Sequence, residues 1–123
     1  MISFEMRSDL GGALGRLARA GTPAMRRAFA SRVGADSNRY CMVDSGDLKA
    51  SCALASDEDV RWDTPYARYA YHAASARRDV NPEATPQWFE TAKSRRLRAW
   101  QAFARALLVG DAEPREVDMK GGK

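Results

Sequence analysis

From Pro86 to Gly110 the chain runs without an internal proline or glycine, and its large apolar residues recur at helical spacing. Phe89, Ala92, Leu97, Trp100, Phe103, Ala104, Leu107 and Leu108 form one broad stripe, while the arginines fall largely on the other faces. The pattern predicts a helix running to about Val109. Thr85 and Pro86 supply the starting signals and Gly110 the stop. The whole chain has 123 residues, which suits one domain with a core that needs no disulfide or metal staple.

A second helix is predicted from Pro23 to Asn38, with Thr22 as N-cap and Pro23 at the first helical position. Ser8 to Ala20 reads as a shorter helix, weakened by Gly11, Gly12 and Gly15. Asp44, Ser45 and Gly46 form a turn by composition. Leu48 to Ala55 and Asp59 to Trp62 then read as a β-hairpin around Ser56-Asp57-Glu58. Thr64-Pro65 starts a short helix, Tyr66 to Ala74, and Ser75 to Ala84 reads as a loop. The expected class is α+β: a long helix in the N-terminal half, a small antiparallel hairpin sheet, a short helix, and a long C-terminal helix packed on it. Residues 1–110 make one domain, and the polar segment 111–123 is expected to be a flexible tail.

The net charge of +4 conceals blocks. Leu10 to Ala35 holds five arginines, including Arg26 and Arg27, and no acid. Asp36 to Pro65 holds seven acids and three bases, among them Asp57, Glu58 and Asp59. Thr91 to Gly110 holds Lys93, Arg95, Arg96, Arg98 and Arg105, again with no acid. Two basic segments around an acidic middle suit subunits that meet face to face, and solvated helix faces are the plainer account.

The residue inventory argues against catalysis. His72 is the single histidine, no serine or cysteine sits in a nucleophile elbow, and Cys and His residues are too few for a zinc site. Gly11 to Arg16 lacks the ending of a phosphate loop. Cys41 and Cys52 read as free thiols, with a bridge between them as the alternative. The N-terminus lacks the apolar run of a signal peptide, and no stretch is long enough to span a bilayer. The expectation is a soluble protein made in a cytoplasm, with no cofactor, metal, membrane or small-molecule substrate. Trp88, Phe89, Trp100 and Phe103 interleave with arginines, a pattern that binds single strands by stacking, yet core packing explains the same rings.

Three segments together resemble the minor capsid and neck proteins of tailed bacteriophages, also described as tail-completion or head–tail joining proteins. The turn Val43-Asp44-Ser45-Gly46-Asp47-Leu48-Lys49-Ala50-Ser51 is similar to that family's Asp-Thr/Ser-Gly-x-Leu-x-x-Ser. The segment from Val60 to Tyr69, with Trp62, Thr64, Pro65, Tyr66 and Tyr69, resembles its Trp-x-Thr-Pro-Tyr-Ala-Arg-x-x-Tyr. Asn81-Pro82 followed by Thr85-Pro86, Trp88-Phe89 and Trp100 forms the third match. The resemblance covers about residues 23 to 108.

It implies a structural virion protein without an active site: a ring-forming subunit at the neck, between portal connector and tail. The implied partners are further copies of itself and other neck proteins (connector, head-closure protein, tail terminator), with non-specific contact to passing DNA. The expected subunit contact sets basic residues Arg26, Arg27, Arg95, Arg96 or Arg98 against Asp57, Glu58 and Asp59 of a neighbour. The competing reading is a small nucleic-acid-binding module that uses the arginine-rich last helix.

Overall fold

The structure, a computed structural model, describes residues 2–6, 11–41, 47–65, 67–72 and 87–119. In chain order these form β1 (Ile2–Glu5), α1 (Gly11–Ala20), α2 (Pro23–Asn38), α3 (Asp47–Ala50), β2 (Cys52–Leu54), β3 (Asp59–Trp62), α4 (Ala67–His72) and α5 (Trp88–Val109). The expected α+β class holds, with the long helices α2 and α5 packed on each other and on a small antiparallel sheet.

The sheet has three strands in the order β1-β3-β2, so the hairpin expected from sequence gains an N-terminal strand. In β1, Ile2 pairs with Trp62 and Phe4 with Val60; in β2, Cys52 pairs with Trp62 and Leu54 with Val60. Alternation along β3 sends Val60 and Trp62 into the core. The hairpin closes with the Ala55 N–H donating to the Asp59 carbonyl at 2.9 Å. The first hairpin strand is shorter than expected. Residues 47–50 turn as α3 and only 52–54 extend, because Leu48 accepts from Ser51 through both its N–H, at 3.1 Å, and its hydroxyl, at 2.6 Å. Those local bonds compete with a ladder, as serine side chains commonly do.

The α2 start is as predicted. Thr22 Oγ1 accepts from the Met25 N–H at 3.2 Å, and Pro23 needs no donor there. Its buried face is mostly small: Ala28, Ala30, Ser31, Gly34 and Ser37 beside Phe29 and Val33. Small residues let α2 approach α5 and the sheet closely. At Gly34 a Cβ would stand 3.1 Å from Val60 Cγ1 and 2.5 Å from Met119 Sδ, so the helix can lie this near only with glycine there.

The start of α5 departs from the expected cap. Thr85 and Pro86 lie outside the described residues, and the capping position is Gln87, in the left-handed region at φ 53° with no side-chain bond. Tertiary contact replaces the local cap: the Gln87 N–H donates to the Tyr71 carbonyl at 2.7 Å. The other end is as read, with Gly110 at φ 87° and its N–H on the Ala106 carbonyl.

The helix predicted over 8–20 is described from Gly11, and that over 66–74 from Ala67 to His72. The turn residues Asp44, Ser45 and Gly46, together with Tyr66 and the loop Ser75–Ala84, lie outside the described residues. Cys41 and Cys52 are both buried, with no disulfide between them. No helix among the described residues is long and apolar enough to cross a membrane.

Candidate assembly surface

The motif residues that the structure describes gather in one aromatic core. Trp62, Trp88, Phe89 and Trp100 are between 0% and 1% exposed. Phe4 joins them from β1, stacked on Phe89 at 4.4 Å between centroids and meeting Trp62 edge-on at 5.9 Å. Trp88 meets Trp62 edge-on at 5.7 Å and Tyr71 at 4.8 Å. Such offset and edge-on pairs add to the area buried. Leu48 is buried as well, and Thr64 supplies the carbonyl that accepts the first N–H of α4 at 3.1 Å. Pro65 lies exposed beside it. These are scaffold roles, and rings so deeply buried are closed to nucleobases.

Two residues of the motif need correction or addition. Counting the motif's spacing from Arg68 lands on Tyr71, not Tyr69. Tyr71 is 4% exposed, and its hydroxyl accepts from the Glu90 N–H at 3.4 Å. It therefore ties α4 to the first turn of α5. Asn38 was not anticipated at all. Its Oδ1 accepts from Trp62 Nε1 at 2.9 Å, and its Nδ2 donates to the carbonyls of Lys49 and Met119, each at 2.9 Å. A buried amide satisfied on both sides pins α2 to β3, α3 and the chain's end. Asp36 does a similar task, accepting from Trp100 Nε1 at 2.7 Å.

The charges divide into two groups. Arg26 and Arg27 on α2 meet Asp57 of the hairpin loop within the same chain, at 4.0 Å and 3.3 Å, and Arg27 also reaches Glu116 at 3.1 Å. The expected pairing of this helix with an acidic middle is thus made inside the chain. The hydrogen bonds that Arg27 donates to Glu116 first and Asp57 second hold the pKa of its guanidinium above the ordinary value. All three side chains remain more than a third exposed, so each pair contributes under ~1 kcal/mol. Glu58 and Asp59 are half-buried at the loop and the start of β3.

The second group lies on α5. Arg95, Arg98 and Arg105 are exposed, and Ala102 and Val109 are exposed between and beyond them. Positions 95, 98, 102, 105 and 109 follow a heptad spacing and so fall on one face. Arg98 and Arg105 stand about 10 Å apart along the axis. The Arg95 guanidinium lies over the Tyr40 ring at 5.2 Å, which fixes it without neutralising it. Arg96 is half-buried beside this face. Among the described residues, no carboxylate pairs with Arg95, Arg96, Arg98 or Arg105. Exposed Arg16 and Arg19 on α1, which also packs on α5, add to the basic surface. His72 is exposed on α4, and no group of His, Cys, Asp or Glu among the described residues could hold a metal ion.

A family model described as minor capsid protein matches residues 4–107. The match begins inside β1, so the likeness extends past the 23–108 core read from the motifs and takes in the N-terminal strand and α1. No curated protein and no solved structure matches the chain. With most of its length covered, from the first strand to the end of the long helix, the chain belongs to the minor capsid protein family, structural proteins of the bacteriophage virion.

Proposed function

We propose that this chain is a ring-forming subunit of the phage neck, joining the portal-side connector to the tail, with no catalytic activity. The exposed, acid-free arginine face of α5 is the surface by which it meets an acidic face of the adjoining virion protein. The observation that carries this reading is the division of labour among the charges. Arg26, Arg27 and Asp57 are paired within the chain, while Arg95, Arg98 and Arg105 share one face without a carboxylate among the described residues. Arginine suits such a contact because its planar fork matches a carboxylate with two bonds. A ring needs two different faces per subunit, each meeting the other's counterpart.

Replacing Arg95, Arg98 and Arg105 together by glutamate tests it. The side chains are exposed, so the fold should persist, with the melting temperature moved by only a few degrees. Like charges set against an acidic partner cost several kcal/mol, so joined particles should fall by ~100-fold or more. Joining at the unaltered level would refute the assigned face. Wild-type chain that bound duplex DNA tightly at ~0.1 M salt, and lost that binding in the variant, would favour the nucleic-acid reading instead.

A further inference from the structure

After Gly110 the chain turns back, and residues 111–119 run along α2 without regular secondary structure. This polar segment, expected from sequence to be a flexible tail, is held there as a bound peptide is held. The Val117 N–H donates to Ser31 Oγ at 3.0 Å, and the Met119 carbonyl accepts from Asn38 Nδ2 at 2.9 Å. Glu116 pairs with Arg27 at 3.1 Å. Met119 Sδ fills the notch left by Gly34, where a Cβ would stand 2.5 Å away. With the strap in place Ser31 and Asn38 are 0% and 1% exposed, so the strap lies over polar groups that are otherwise enclosed by the fold. Charge agrees: Asp111, Glu113, Glu116 and Asp118 outnumber Arg115 in the segment, whereas α2 offers Arg26, Arg27 and Arg32 before its first acid.

We propose that this α2 groove is a docking site for the C-terminal strap of a second copy of the chain, and that neighbouring subunits exchange straps. The inference rests on the neck-ring reading for its setting. Every contact above is made by the strap's backbone, by Met119 or by Glu116, and none depends on the strap belonging to the same chain. Exchange replaces each contact by an identical one, so its cost is confined to the hinge and to association. Gly110 is a suitable hinge, with a backbone free to leave its left-handed conformation and no atom within 4 Å of where a Cβ would be. A short linker holds the internal strap at millimolar effective concentration, and a neighbour fixed alongside presents its strap at a comparable one. An empty groove would strip Asn38 Nδ2 of one acceptor and open the Gly34 notch, which favours a filled groove whichever chain supplies the strap.

The test uses full-length chain grown with the diazirine analogue of methionine in place of methionine. Unlabelled and nitrogen-15 chains are mixed equally, refolded together from urea and irradiated, and adducts between residue 119 and α2 are weighed. At ~10 µM these adducts should join peptides of one isotope only; at ~1 mM, roughly a quarter should join the two isotopes. When the labelled chain carries Met119→Asp, its groove lacks its own anchor. Adducts from unlabelled straps to labelled grooves should then rise about twofold at the same concentration. Isotopically pure adducts at ~1 mM in both mixtures would overturn the proposal. No particle is involved, so that failure would leave the ring reading intact, and failure of the ring reading would leave mixed adducts in place.

Discussion

Replacing Trp62 by alanine should remove about 4–6 kcal/mol of stability, a large part of the roughly 5–15 kcal/mol margin of a domain. The side chain is fully buried at the end of β3, the middle strand of the sheet, where Trp62 pairs across the ladder with both Ile2 and Cys52. Truncation opens a cavity bounded by Phe4 and Trp88, which cost alone reaches about 3–5 kcal/mol for a large ring. It also leaves Asn38 Oδ1 buried without its donor, an additional penalty of about 1–3 kcal/mol that overlaps with the first. The urea midpoint should fall steeply, and the loss of tertiary circular dichroism at lower urea would register it. Trp62→Phe keeps much of the ring and should cost only about 1–3 kcal/mol, chiefly the orphaned amide. Equal losses in the two variants would show that packing is not the larger contribution.

The second large effect is expected at Asn38. Leucine has the same branched skeleton of heavy atoms, so Asn38→Leu removes the polar connections with a modest increase in bulk. Trp62 Nε1 and the carbonyls of Lys49 and Met119 all lose their partner. Trp62 cannot turn to water, and the cost should be about 3 kcal/mol in urea denaturation. A cycle with Trp62→Phe should be less than additive by about 1 kcal/mol, because both changes break the same bond. The strap should loosen as well, seen as faster amide exchange at Val117, whose N–H lies on neighbouring Ser31. Unchanged exchange there would mean that Asn38 does not hold the strap.

Local signals were well legible in the sequence. Thr22-Pro23 and Gly110 act through bonds to residues a turn away, so their composition alone reveals the ends of α2 and α5. The hairpin loop at 55–58 was legible for the same reason. What failed was long-range. β1 is four residues long, and its partner β3 lies more than fifty residues on, so no nearby turn announces it. Its one cue was the alternation of Ile2 and Phe4 toward the core side. The left-handed Gln87 was illegible because Tyr71, not a local cap, takes its N–H. Asn38 read as the last residue of a helix, and only the folded chain brings Trp62, Lys49 and Met119 to it.

The candidate site divides along the same line. The aromatic motif residues are scaffold, as the periodic stripe implied, but the last position of the second motif was read as Tyr69, whereas Tyr71 is the ring that packs against Trp88. The charge blocks were visible, but not which of them the fold consumes. Arg27 meets Asp57 and Glu116 across thirty and eighty-nine residues, and no block count separates it from Arg98. The arginine face of α5 could be recognised only once Asp57 had been assigned to α2.

The most direct measurement of the central claim is electron microscopy of particles made by phage lacking this chain. A neck subunit predicts filled or emptied heads and complete tails lying apart, with joined particles restored when the chain is supplied in trans. Normally joined, infectious particles in its absence would contradict the account.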